Sequence, residues 1–136
     1  MIYQKNNFNN LIKLIMEKLL EGEETTLEIL REQFKNGKIS ETEFTGYGFF
    51  SSFVIPDDVS RTKKESFQID DLHVDVKKLS NGIGFVLFIK NGIINQLEGF
   101  TYGDEECPEN IEITNISYIY QDKKRDLNEL IKNWEK

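Results

Sequence analysis

Apolar residues recur every three or four positions near both ends of the chain, which is the spacing of a helix with one buried face. The first such segment covers residues 7–21, and a second begins at Thr25, which with Glu28 has the spacing of a capping box. Gly22 and Gly37 follow these two segments and favour helix ends there. A third apolar stripe lies at Leu127, Leu130, Ile131 and Trp134. The pattern predicts an N-terminal helical hairpin and a C-terminal helix.

The middle of the chain has the composition and the alternation of β-strands. Residues 38–56 are rich in Phe, Thr, Val and Ile and predict a strand pair or one long bent strand. Residues 72–77 alternate between apolar and polar, whereas 83–90 are apolar on both faces, which is typical of a central strand. Asn91-Gly92 follows directly and is the dipeptide that a type I′ hairpin turn prefers. A further strand is expected over about 111–120.

These elements predict one α+β domain that covers residues 1–136. Consecutive strands joined by tight turns form antiparallel sheets, and helices from both ends of the chain can cover such a sheet. We therefore expect a single antiparallel sheet of about five or six strands, with the helical hairpin and the C-terminal helix packed on it. An Asp70-Asp71 pair separates two apolar phases and predicts a bulge or a break in one strand.

The charge balance limits the kinds of partner that the chain is expected to bind. The chain has 17 Lys and Arg against 24 Asp and Glu, a formal charge of −7. Binding to nucleic acid or to an anionic membrane requires a basic surface, so neither is expected. A basic protein partner is favoured by charge complementarity, and self-association as a dimer is the alternative. The chain shows neither the order of a signal peptide nor a long apolar run, which predicts a cytoplasmic protein.

Few residues are suited to metal or nucleophilic chemistry. Cys107 and His73 are the only residues of their kinds, so an intramolecular disulfide and a multi-histidine metal site are excluded, and no metal or cofactor is expected. A Cys107–His73 dyad would need both residues to meet in space, and the acidic neighbours of Cys107 should raise its pKa. Gly46 and Gly48 form a GxG without a third glycine or a following helix, which favours a bend over a nucleotide site.

Glu98 is the strongest candidate for a polar centre. It lies within a predicted strand, and the alternation places Phe100 and Tyr102 on the same face. A carboxyl buried among aromatic rings would have a raised pKa and could bind a ligand or act as a general acid. With a second acid, Glu41, Glu43 or Asp104, it could form a glycosidase-like carboxylate pair. The other interpretation is a solvent-facing residue or a structural hydrogen-bond acceptor.

The segment 99–108, which combines aromatic, glycine and acidic residues, is the most distinctive loop. Such a composition suits a recognition surface for a basic protein, or a turn whose rings cover one end of the core. The candidate binding residues are Glu98, Phe100, Tyr102, Asp104, Glu105, Glu106 and Tyr47. Tyr118 and Tyr120 would add a second aromatic surface if the helices left their side of the sheet uncovered.

Two stretches resemble motifs of a family of small bacterial proteins to which no activity has been assigned. Residues 43–53 are similar to an E-x-TG-x-GFF-x-x-F pattern, and 84–105 to a GF-x-LF…LEG[FY]TYG pattern. Family members often carry Trp before the proline, where this chain has Cys107. The resemblance implies no catalytic residue. A broader analogy of small acidic α+β proteins with immunity proteins suggests a non-enzymatic binding function, with a purely structural component as a further alternative.

Overall fold

The computed structural model describes residues 2–135 and shows a mixed α+β fold. The strands are β1 Ile2–Tyr3, β2 Lys38–Phe44, β3 Gly48–Val54, β4 Phe67–Ile69, β5 Leu72–Val76, β6 Ile83–Lys90, β7 Ile93–Thr101 and β8 Ile111–Tyr118. The α-helices are α1 Phe8–Leu19, α2 Thr25–Asn36 and α3 Leu127–Trp134. The α+β class with an antiparallel sheet is confirmed, but the expected five or six strands is wrong, because the described residues form eight.

The sheet is antiparallel throughout, with the strand order β1-β8-β5-β6-β7-β3-β2 and with β4 paired to β6. The strand count was underestimated because β1 has only two residues, too few to show alternation. The break predicted at Asp70-Asp71 is present, and it divides this part of the chain into β4 and β5, which pair with different parts of β6. Asn91 and Gly92 both have positive φ, 57° and 75°, as the predicted type I′ turn requires.

The N-terminal region departs from the predicted helical hairpin in its details. The chain enters the sheet through β1 before either helix, so this region is not helical from its start. The side chain of Glu24 accepts a hydrogen bond from Leu27 N and caps α2, a role that the sequence pattern had assigned to Thr25. Gly37 ends α2, as predicted, with its backbone extended.

The helices pack on one face of the sheet. Aromatic contacts join Phe8 of α1 to Phe49 of β3, and Trp134 of α3 to Phe67 of β4, at ring-centroid distances of 4.7 and 5.1 Å. The Tyr118 hydroxyl donates to the carbonyl of Lys18 in α1 at 2.7 Å, so this tyrosine also lies on the helix-covered side. The central strands contribute fully buried residues to this core, among them Phe85, Leu87, Leu97 and Phe49.

Candidate functional site

The opposite face of the sheet carries the residues that alternate with the core positions of the central strands. We call it the helix-free face. On β3, β6 and β7 it presents Phe50, Ser52, Val86, Phe88, Gln96, Glu98 and Phe100, all of them half-buried. The half-burial of its Phe and Val side chains leaves apolar surface accessible across the middle of the sheet.

Glu98 lies at the centre of this face. In the registers of the sheet it is opposite Phe50 on one side and Val86 on the other. Among residues 2–135 its carboxylate has no hydrogen bond and no ion pair. Glu98 is thus neither a fully solvated surface residue nor a hydrogen-bond acceptor within the fold. The register of β7 places Glu98 and Phe100 on one face, and the Tyr102 ring contacts Phe100 there, as predicted.

Two aromatic rings cover the end of the face that follows Glu98. The ring centroids of Phe100 and Tyr102 are 5.3 Å apart, and that of His73 is 5.9 Å from Tyr102. These rings lie over Gly84, where a Cβ atom would stand only 2.5 Å from the Tyr102 hydroxyl oxygen. Partial burial raises the pKa of Tyr102. The absence of a side chain at Gly84 therefore makes room for the rings of Phe100 and Tyr102.

On the core side of the sheet, the absence of a side chain at Gly99 likewise makes room for an aromatic ring. A Cβ atom there would lie 2.3 Å from the Phe49 ring, which fills the space above this glycine. Phe49 and Gly99 belong to the two stretches that carry the family resemblance. Their glycine and aromatic pattern is thus explained by sheet packing on both faces, without reference to any chemical activity.

The loop after β7 brings its three acidic residues into different environments. Glu105 is half-buried, and its carboxylate accepts hydrogen bonds from the backbone N–H of Ser80 at 3.0 and 3.1 Å. Asp104 and Glu106 are exposed. The loop is also held by a hydrogen bond from Cys107 N to the Gly46 carbonyl at 2.8 Å. Glu105 therefore has a structural role, while Asp104 and Glu106 are available to a partner.

Tyr47 lies beside this loop, in the turn between β2 and β3. Its side chain is 51% exposed, and its carbonyl accepts a hydrogen bond from Thr101 N at 2.9 Å. The seven candidate residues thus fall into two adjoining groups. Glu98, Phe100 and Tyr102 lie on the helix-free face, and Tyr47 and the acidic loop lie at its end.

The three grooves described in residues 2–135 lie elsewhere. The largest one described has a volume of about 1140 Å³ and is lined by α1, α2 and the start of β2, with Phe34 and Ile39 among its apolar residues. Neither this groove nor two smaller ones include any of the seven candidate residues. A small-ligand or hydrolytic site would need a cavity around Glu98, and these grooves do not supply one.

Cys107 and His73 are not brought together. Cys107 packs beside the core and lines a small groove with Phe8 and Phe49, whereas His73 lies under Tyr102 on the helix-free face. Burial raises the pKa of the Cys107 thiol, so the direction expected from the sequence is right but the main cause is not its acidic neighbours. Within residues 2–135 no cluster of His, Cys, Asp or Glu is placed to hold a metal ion.

Two buried polar networks were not predicted. Asp71 is 1% exposed and forms an ion pair with Arg125, whose guanidinium bonds both carboxylate oxygens, at 2.6 and 3.0 Å. Tyr120 donates to the same carboxylate at 2.9 Å, so both it and Tyr118 are engaged within the fold and do not form a free aromatic surface. Burial is the main cause that raises the pKa of both tyrosines. Each network joins residues that are far apart in the sequence.

The second network is centred on Gln33, which is completely buried in α2. Its amide donates to the carbonyls of Ser60 and Gly92 and accepts from Ile94 N, each at 2.9 Å. A polar residue at this position of a helix is normally exposed, so the local pattern did not indicate that Gln33 is buried.

Comparisons with known proteins found no match to any family model, curated protein or solved structure. Within residues 2–135, no helix is long and apolar enough to cross a membrane.

Proposed function

We propose that this chain is a non-enzymatic binding module, of an interaction or immunity type, that contacts a basic protein through its helix-free face and the adjoining acidic loop. The proposal rests mainly on Glu98. Glu98 is half-buried between Phe50 and Val86, and its carboxylate has no hydrogen-bond or ion-pair partner among residues 2–135, so it is accessible to a partner from outside.

The surroundings of Glu98 favour a cationic side chain as its partner. An Arg or Lys that docks there would meet the carboxylate in a partly desolvated setting, where an ion pair is stronger than in water. The neighbouring Phe50, Phe100 and Tyr102 would contact the apolar part of the same side chain. Aromatic residues such as these are enriched in the buried part of protein interfaces.

The charges of the face support the same partner. On β2, β3, β6 and β7 the helix-free positions carry three carboxylates, those of Glu41, Glu43 and Glu98. The lysines on these positions, Lys38 and Lys90, lie at the end of the strands away from the acidic loop. The centre of the face and its loop end are therefore acidic, and would attract a basic surface during association.

Affinity capture with charge-reversed variants tests the proposal. Glu43→Lys/Glu98→Lys should abolish capture of a basic protein from a lysate of the source cells. The matched control, Glu17→Lys/Glu28→Lys, makes the same change in net charge at exposed positions on α1 and α2 and should capture it as the unmodified chain does. Equal capture by both variants, with thermal midpoints that show both to be folded, would refute the proposal.

The loop needs a separate design. Asp104→Asn/Glu106→Gln should weaken capture without loss of stability, since both side chains are exposed. Glu105→Gln is a poor probe of binding, because it also weakens the hydrogen bonds to Ser80 N that hold the loop. A loss of capture that accompanies only Glu105→Gln would indicate that the loop's conformation, and not its charge, is what matters.

A further inference from the structure

Strand β2 forms one outer edge of the sheet. It ends the strand order, and within residues 2–135 its only strand partner is β3. Five of its seven residues are exposed; the Phe44 side chain packs on Phe8 and Lys5 on the helix-covered side, and β2 has no strand on its outer side among residues 2–135. An uncovered outer strand presents unpaired backbone N–H and C=O groups, to which another extended segment can bind.

The backbone groups that point outward can be identified from the turn. Thr45 N donates to the Gly48 carbonyl at 3.0 Å, so Thr45 and Gly48 form a hydrogen-bonded pair. Such pairs alternate along an antiparallel ladder. Phe44 and Thr42 therefore occupy non-bonded positions towards β3, and their N–H and C=O groups point away from the sheet.

The same geometry decides which side chains a docked strand would meet. If Thr42 and Phe44 hydrogen-bond to the added strand, Glu41 and Glu43 occupy the non-hydrogen-bonded positions of the new pairing. At such positions the side chains of the two strands are closest. Both glutamates are exposed, and their registers with Ser52 and Phe50 place them on the helix-free face.

We propose that a basic, extended segment of a partner protein adds to β2 as a further strand, with Lys or Arg opposite Glu41 and Glu43. This inference rests on the proposed function, because it names the binding mode and the chemistry of the partner for the same acidic surface. The added strand would continue the helix-free face outward, two strands away from Phe50 and three from Glu98.

A second copy of this chain fits the edge poorly. A two-fold antiparallel pairing centred on Thr42 would place Glu41 opposite Glu43 of the second copy, and one centred on Glu43 would place two glutamates directly opposite. Like charges at directly opposed positions destabilise strand pairing. The two glutamates therefore disfavour self-association in these two registers, whereas a basic strand would meet them with opposite charge.

The test uses a short synthetic peptide in which Lys alternates with Val, and amide hydrogen exchange on the full chain. We expect the peptide to slow exchange at the amides of Thr42 and Phe44. A peptide with Glu in place of Lys should not bind, and neither should the Lys peptide when it is N-methylated at alternate residues.

Two variants at one position separate backbone pairing from other effects. Thr42→Pro removes an outward N–H and should weaken peptide binding by about tenfold, the effect of losing roughly one net hydrogen bond. Proline is tolerated on an edge strand where the N–H faces solvent. Thr42→Val is the matched control, since it also lacks the hydroxyl that bonds Ser51 Oγ at 2.8 Å, and it should bind as the unmodified chain does.

The outcomes distinguish the edge from the face. Absence of binding by the Lys peptide, or binding that survives Thr42→Pro and leaves the exchange at Thr42 and Phe44 unchanged, overturns strand addition. When either of these results is accompanied by loss of capture of a basic protein in Glu43→Lys/Glu98→Lys, the proposed function stands and only the strand-addition mode is refuted. Loss of peptide binding in Glu41→Gln/Glu43→Gln, with slower exchange in the unmodified chain, supports both.

Discussion

Replacement of Asp71 is expected to be among the most destabilising single changes in this protein. Its carboxylate is 1% exposed, and the Arg125 side chain that it pairs with is 7% exposed. The guanidinium makes two bonds to the carboxylate, and Tyr120 adds a third. Arg125 also donates to the Glu21 carbonyl at 2.7 Å, so the network ties the start of β5 to the chain beyond α1 and to the segment before α3.

The magnitude follows from what Asp71→Asn leaves behind. The substitution keeps the volume of the side chain but leaves the positive charge of Arg125 buried without compensation. Removing one partner of a buried ion pair costs about 3–5 kcal/mol, a large share of the roughly 5–15 kcal/mol by which domains are stable. Arg125→Met should be similarly costly. It leaves the Asp71 carboxylate buried without a cation, and it removes the guanidinium that lies above the Tyr118 ring.

Urea unfolding of the two single variants and the double variant measures the coupling. We expect the double variant, Asp71→Asn/Arg125→Met, to lose less free energy of unfolding than the sum of the single changes. The control is the exposed pair Glu129 and Lys132 at 3.5 Å, where removal of either charge should cost less than about 0.5 kcal/mol. A cost below about 1 kcal/mol for Asp71→Asn, or additive single changes, would show that the pair is hydrated and contributes little.

Three further changes test the core and the buried tyrosines. Gln33→Met should lower the free energy of unfolding by about 1–3 kcal/mol, because it leaves the N–H of Ile94 without an acceptor, and denaturant midpoints measure this. Gly99→Ala should cost about 1–3 kcal/mol through its overlap with the adjacent Phe49 ring, seen as a lower thermal midpoint. The raised pKa values of Tyr118 and Tyr120 mean that the folded chain keeps their protons when the unfolded chain has lost them. Stability should therefore be unaffected by these groups below about pH 10 and fall as the pH rises above it, and unfolding curves of the Phe variants should show a weaker fall.

Local features of the fold were predictable where one short segment determines its own conformation. Asn91 and Gly92 can adopt positive φ more readily than other residues, so the hairpin of β6 and β7 could be assigned from two residues and their apolar flanks. Strand β1 could not be found in this way. Its two residues form a strand only because β8, more than a hundred positions later, supplies partners for them.

The candidate site was likewise predictable only in the features that a single segment determines. The alternation of side chains along β7 was enough to place Glu98 and Phe100 on one face. Which face the helices leave uncovered depends on how three distant helices pack, and no single segment contains that information. The structural role of Glu105 was missed for the same reason, since its acceptor function depends on Ser80, 25 residues earlier.

The carboxylates of Asp71 and Glu98 show why the helix-free face is a better candidate for function than the core networks. Asp71 is buried and Glu98 is half-buried, and both lie on β-sheet elements or next to them. Asp71 recovers its lost hydration through three hydrogen bonds within the fold, so stability alone explains its presence. Glu98 receives none from residues 2–135, and an apolar residue between Phe50 and Val86 would pack at least as well. Folding therefore gives no reason for a carboxylate at position 98, whereas a cationic partner gives one. Glu98→Leu should leave the free energy of unfolding unchanged or raised while abolishing capture of a basic protein, and a clear loss of stability in urea would contradict this separation.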